Sequence, residues 1–237
     1  MKTFEEIRAR ASARKGGDDI IASLLGARPD NARVAALADD RILSTMAQRI
    51  FSAGFVWRVI EQKWPGFEEA FLGFEPRRVL FQPDDFWHDL ASDKRIVRNP
   101  QKIMAVRENA ELVDRISREH DGFGRFLASW PADDQMGLVG WLGKHGSRLG
   151  GNTGQYFLRW IGWDTYMVSA DMVAALRDAG LDIAENPTSK KDAAAIQAVI
   201  NQWARETGLP RMHISRILAW STGVNRTPEE IRAYLGE

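Results

Sequence analysis

Three groups of residues in this 237-residue sequence have types and spacings suited to chemistry. The first is a glycine-rich turn, where Gly150, Gly151 and Gly154 fall between two stretches that read as helices. Glycines there permit positive φ and close backbone approach, so the amides opening the second helix can point outward with the helix dipole behind them. That geometry binds phosphate. Lys144 and Arg148 lie just upstream to supply charge, and Asn152 or Thr153 is expected to cap the second helix. An ordinary connection between two helices uses glycine in the same way, so the turn alone decides nothing. The second group is Ala53-Gly54-Phe55-Val56-Trp57, set within a stretch that otherwise reads as one helix. A glycine beside two aromatics can open a slot that stacks a flat ring, above all a cationic one, although aromatics at helical spacing are more often core. The third is Asp171, which follows the N-cap candidate Ser169 and so falls in a first helical turn, where the dipole favours a carboxylate. Many first-turn acids only stabilise their helix, and Asp164 and Asp178 are its neighbouring competitors.

The elements that must position these residues read as helices throughout. Residues 1–38 form an N-terminal helical extension broken at Lys15-Gly16-Gly17 and Arg28-Pro29-Asp30, and residues 39–237 form the main helical domain. From Arg41 the apolar positions Ile42, Leu43, Met46, Ile50, Phe51 and Val59 recur at helical spacing until Trp64-Pro65-Gly66, which is expected to end the helix. A further helix stops at Glu75-Pro76, a short one follows Pro83, and Asn99-Pro100 opens a long one that Asp121-Gly122 closes. No stretch alternates with period two between hairpin turns, so the fold class is all-α.

Composition narrows the function. A chain 44% hydrophobic and 27% charged is that of a globular protein, and nowhere do eighteen apolar residues run together. The charged N-terminus does not suit a signal peptide, so the expected location is cytoplasmic, beside the nucleoid. There are no cysteines, and the four histidines, His88, His120, His145 and His213, are scattered; neither a metal nor a cofactor is expected. Thirty-two basic residues balance thirty-two acidic ones, which taken alone argues against a polyanion partner. Yet Lys94–Arg107, Gln135–Trp163 and Thr207–Pro228 contain no acid, and such segregation lets a neutral protein present a basic face to phosphates.

The order of these pieces resembles the DNA-3-methyladenine glycosylase I family of the helix-hairpin-helix DNA glycosylases. Ala53-Gly54-Phe55-Val56-Trp57 is similar to the family's AGLSW motif, Arg95-Ile-Val-Arg-Asn-Pro-Gln-Lys-Ile103 to its IIRHRGKI segment, and Gly151–Gly162 to its hairpin. The resemblance spans roughly residues 40–175. It implies a glycosylase-like helical fold and a monofunctional enzyme that hydrolyses the N-glycosidic bond of an alkylated, 3-methyladenine-like base flipped out of duplex DNA. Trp57 would stack on the base, with Phe55, Tyr156 and Trp160 as further base contacts. Arg98, Lys102, Lys144, Arg148 and the stretch Gly150, Gly151, Asn152, Thr153 and Gly154 would hold the DNA. Asp171 stands where the wider superfamily carries its catalytic aspartate, while Gln155 and Tyr156 occupy the stretch where strand-cleaving members place a lysine. The partner expected is double-stranded DNA with a damaged base, bound by a monomer away from membranes. The sequence departs from the family in lacking its zinc-binding residues and its N-terminal tyrosine-histidine-aspartate segment. The family's pocket glutamate falls near Gln48 and Arg49, which cannot act as a carboxylate. Two alternatives remain: a helix-hairpin-helix DNA-binding protein that has lost catalysis, and an unrelated helical interaction protein.

Overall fold

The computed structural model describes residues 1–235, and every regular element among them is helical, as the sequence pattern requires. In chain order these are α1 (Phe4–Lys15), α2 (Asp18–Leu25), α3 (Asn31–Ala35), α4 (Asp39–Ser52), α5 (Trp57–Ala70), α6 (Pro76–Leu80), α7 (Asp84–Leu90) and α8 (Pro100–His120). There follow α9 (Phe123–Ser129), α10 (Gln135–His145), α11 (Gly151–Trp160), α12 (Ala170–Asp178), α13 (Lys190–Thr207), α14 (Arg211–Ser221) and α15 (Pro228–Leu235). None of these helices is long and apolar enough to cross a membrane.

The helices fall into two compact units, and their division differs from the expected boundary after residue 38. Met1–Pro29 belongs with the chain from Asp164 onward, and Asp30–Trp163 forms the other unit. The cause lies in the short N-terminal helices, which are too small to enclose a core of their own. Phe4, Ile7 and Ala11 of α1 are buried with Trp203, Ile214, Ile217 and Leu218, and the rings of Phe4 and Trp203 lie 5.6 Å apart. Val34 of α3, by contrast, is buried in the core of the other unit.

Within the Asp30–Trp163 unit, α8 is the central support. Its Asn99 side chain accepts from the Lys102 amide, Pro100 occupies the first turn, and Asp121 in the left-handed conformation ends it. Its buried Val106, Ala110 and Val113 pack in one core with Met46, Ile50 and Phe51 of α4. An aromatic cluster then fixes α5 on α4: Phe67 meets Phe51 edge to face at 4.7 Å and stacks on Trp64 at 4.9 Å.

Two local expectations give way here. The chain does not stop at Trp64-Pro65-Gly66; α5 runs through Pro65 to Ala70. Proline forfeits one bond, to the carbonyl of exposed Glu61, and the turn is retained for packing. A β-carbon at Gly66 would lie 2.8 Å from the Arg95 carbonyl oxygen, so glycine is what lets that backbone pass against α5. Conversely, the regular helix expected through Ala53–Trp57 is broken. Ala53 turns extended (φ −62°, ψ 118°), Gly54 takes φ +74°, and a new helix begins at Trp57.

Candidate base-binding and DNA-binding site

The break between α4 and α5 places its aromatics on the surface. Phe55 is 48% exposed and Trp57 39%, and Tyr156 and Trp160 of α11 are exposed to a similar degree. Large aromatics left this open are available to stack a ligand, whereas the core rings Phe51, Phe67 and Phe71 are closed off. The loop is not slack. Lys102, from the first turn of α8, donates from Nζ to the carbonyls of Phe51 (3.2 Å) and Ala53 (2.6 Å), satisfying the end of α4. Its ammonium also lies 5.2 Å from the Phe55 ring. Burial pushes the Lys102 amine below its ordinary pKa, and the positive charge of Arg148 adds to the shift. Lys102, expected among the DNA contacts, is therefore turned inward and serves as a brace for the aromatic loop.

Arg49, one turn before the break, is buried, and its guanidinium carbon lies over the Trp160 ring, 4.0 Å from the ring centre. It donates from Nη2 to Gln48 Oε1 at 2.7 Å, but Nε has no acceptor, and among the described residues Arg49 forms no ion pair. Burial pushes its pKa down, opposed by Glu61 and Tyr156. Sequence reasoning noted this position only as the place of a missing acid. The available signal was the α4 stripe itself: Ile42, Met46 and Ile50 line the buried face, and Arg49 interrupts it.

The glycine-rich turn joins α10 to α11 as a tight hairpin. Asn109 of α8, fully buried, donates from Nδ2 to the Ser147 carbonyl (3.0 Å) and accepts from the Ser147 amide (2.9 Å). That two-way bond clamps the turn to the core. Close approach explains the glycines: a β-carbon on Gly143 would lie 3.1 Å from Gly150 Cα, and one on Gly154 only 2.4 Å from the Leu149 carbonyl oxygen. Gly154 is accordingly buried packing, while Gly150, Gly151 and Asn152 are exposed and Thr153 half-buried. The cap differs from the one expected: Gly150 is the N-cap, and among the described residues no side-chain cap bond forms there. Lys144 and Arg148 are exposed beside the turn, and Arg148, at φ +57°, is held by Gln101 Oε1. Arg98 is also exposed. An uncapped helix start flanked by exposed cations can take a phosphate group.

Residues 33–137 match the methyladenine glycosylase family. The resemblance drawn from the sequence is borne out over that span, which holds the aromatic loop and Arg98 and stops short of the hairpin. The enzyme class expected, a DNA glycosylase of base repair, rests on the same match. Among solved structures, 3-methyladenine DNA glycosylase I from Staphylococcus aureus is 25% identical, covering 53% of this chain and 77% of its own, with a TM-score of 0.47. An 8-oxoguanine glycosylase/lyase from Methanocaldococcus jannaschii, solved with a 15mer DNA containing 8-oxoguanine, is 13% identical. It covers 91% of this chain and 96% of its own at a TM-score of 0.51, so the helical fold is that of a DNA glycosylase.

Asp171 belongs to the other unit, together with its two competitors, and the structure separates their roles. Asp164 caps α14, accepting from the Arg211 and Met212 amides at 3.1 and 2.9 Å, and Asp178 pairs with Lys2 at 2.9 Å and with Arg10. Asp171 stands behind the Ser169 cap, whose Oγ accepts from the Met172 amide at 3.2 Å, and among the described residues it forms no ion pair. Gly223 at φ +64° leaves room for its carboxylate, since a β-carbon there would lie 2.0 Å from Asp171 Oδ1. Of the three arginines in the third acid-free window, Arg226 is exposed and the other two are engaged. Arg211 is spent on Asp164 and Asn201, and Arg216 donates to the Leu25 carbonyl.

Proposed function

We propose that this chain excises a damaged base from duplex DNA by hydrolysing its N-glycosidic bond. The observation that carries the reading is the set of open aromatics at the α4–α5 break and on α11, braced by Lys102 and Arg49 within the family-matched unit. A flipped base loses its stacking neighbours in the duplex, and Trp57 and Phe55 replace them. The α10–α11 hairpin, with Lys144, Arg148 and the amides of Gly151 and Asn152, grips a phosphate and sets the register of the duplex. Asp171, the acid of its group that forms no ion pair among the described residues, is the carboxylate put forward to stabilise the sugar cation and to take the proton of the attacking water.

An alkylated purine, the substrate class that the resemblance implies, departs as a neutral base and asks little of the protein beyond that stabilisation. Gln155 and Tyr156 offer no amine at the start of α11, so base release is expected without strand cleavage. The test is single-turnover release from duplexes carrying a panel of methylated, deaminated and oxidised bases, by the wild type and by Asp171→Asn. Loss of orders of magnitude in rate, with DNA binding and melting temperature retained, is the expected outcome for Asp171→Asn. A wild type that binds the duplexes and releases none of the bases would leave a DNA-binding protein without catalysis.

A further inference from the structure

We propose that Glu61 sets the charge preference of the base site: its carboxylate stands beside a purine stacked on Trp57 and favours one that carries a positive charge over a neutral one of the same shape. The inference rests on the glycosylase reading and names the residue that selects among its substrates. Three stretches of chain bear the rings and cations of the site, residues 41–61, 94–107 and 135–163, and Glu61 is the one acid in them. It lies on α5 one turn beyond Trp57. Side chains four apart share a helix face, with about 5–6 Å between their β-carbons, and the later one leans back over the earlier. Glu61 is exposed and forms no ion pair among the described residues, so its charge can act on a ligand.

The reach of that charge is visible within the protein. Burial lowers the pKa of Arg49, and Glu61 gives the leading opposition without pairing with it. A planar cation also rests on the proposed stacking ring already: the Arg58 guanidinium carbon lies 5.6 Å from the centre of Trp57. Arg58 is exposed and forms no ion pair among the described residues, so it can yield the ring to a base. Lys102 beside Phe55 and Arg49 over Trp160 add further positive charge. A cationic base is repelled by these groups, and Glu61 is the carboxylate of these stretches that offsets them. A neutral base, undamaged purines included, gains no such attraction. The placement also fixes the step that Glu61 serves. The C1′–N bond breaks with its electron pair moving into the base, which becomes neutral, while the sugar takes the positive charge; water oxygen then bonds to C1′ and sheds one proton to the general base. The attraction is strongest before the bond breaks, so it tightens binding and does not lower the barrier.

The test uses the full chain and two duplexes, each carrying one non-hydrolysable 2′-fluoro nucleotide. One holds 7-methylguanine, which is cationic, and the other 7-methyl-7-deazaguanine, a neutral base of nearly the same shape. Phosphate contacts and salt act alike on both, so the ratio of affinities reads the charge of the base. Wild type is expected to prefer the cationic duplex by on the order of tenfold, and Glu61→Gln should cut the ratio to about twofold or less. Glu61→Asp keeps the charge on a shorter arm and should fall between them. A wild type without preference, or a ratio that Glu61→Gln leaves unchanged, overturns the proposal. Release from the hydrolysable 7-methylguanine duplex is followed in parallel against protein concentration. Glu61→Gln should need roughly tenfold more protein for half-saturation and keep its full rate at saturation. A fall in that rate with binding unchanged would place Glu61 in the chemistry and overturn its assignment to charge selection. A charge preference that Glu61→Gln removes, with no release by the wild type, would sink the glycosylase reading and leave charge recognition standing.

Discussion

The clamp between Asn109 and the hairpin turn offers a quantitative trial of how this fold holds DNA. In Asn109→Leu the shape of the side chain is approximately kept, while both bonds to Ser147, at 2.9 and 3.0 Å, are lost. Each is worth roughly 1 kcal/mol net, and the stranded amide and carbonyl of Ser147 add a desolvation cost of about 1 kcal/mol or more. Ser147 is half-buried, so water can reach part of that loss, and the expected total is about 2–4 kcal/mol of unfolding free energy. Urea titration measures it. The second consequence concerns function: with the turn released, the opening amides of α11 no longer hold one position, and duplex affinity should fall about tenfold or more together with a shallower salt dependence. Val113→Ala is the matched control. Val113 is fully buried on the same helix, and its truncation should cost about 2 kcal/mol through lost burial and a small cavity. It leaves the turn clamped, so its affinity for DNA should equal that of the wild type. The clamp is refuted if Asn109→Leu costs under about 0.5 kcal/mol, or if both variants lose DNA affinity alike.

Trp57→Ala removes a ring that is 39% exposed, so stability should change by about 1 kcal/mol or less while base release is lost; a large drop in melting temperature would make Trp57 a core residue. Gly66→Ala drives a β-carbon to 2.8 Å from the Arg95 carbonyl oxygen and should cost about 1–3 kcal/mol, read by thermal unfolding; no cost would mean the two backbones can part freely. His213 is buried beside the Ala27 carbonyl, near Arg216, Arg28 and Asp164, and burial pushes its pKa below the ordinary value. The unfolded chain then binds its proton first, so this group's stability is complete above about pH 6.5 and is lost as pH falls from there through the lowered folded value. The melting temperature of the wild type should accordingly fall more than that of His213→Gln between neutral pH and pH 5, and parallel curves would refute the assignment.

What could be read from the sequence was local, and what could not depended on contacts made from far along the chain. Asn99-Pro100 and Ser169 announce helix starts because a side chain and the next turn suffice, and both caps form as read. Trp64-Pro65-Gly66 reads as a stop because its real reason, the passage of the Arg95 backbone, lies outside any local window. The apolar stripe runs on past Ala53 because α4 and α5 are each amphipathic, so periodicity could not reveal the break that puts Phe55 and Trp57 in the open. Phe4, Ile7 and Ala11 likewise declare that α1 has a partner without naming α14.

The more useful signal was the exception within a stripe. Arg49 interrupts the buried face of α4, and Lys102 and Asn109 stand among the buried apolar residues of α8. A polar side chain at such a position is costly to bury, so each one marks a contact that the helix face alone does not explain. In this chain those three residues hold, in turn, the Trp160 ring, the aromatic loop and the hairpin turn. The parts proposed to meet DNA are thus fastened by polar groups buried in the scaffold, while the rings and amides that meet the ligand stay at the surface. A polar interruption of an apolar helix face is visible in the amino-acid order, so Arg49 stands out by its position on α4, and the ring and amide it touches then assign its role.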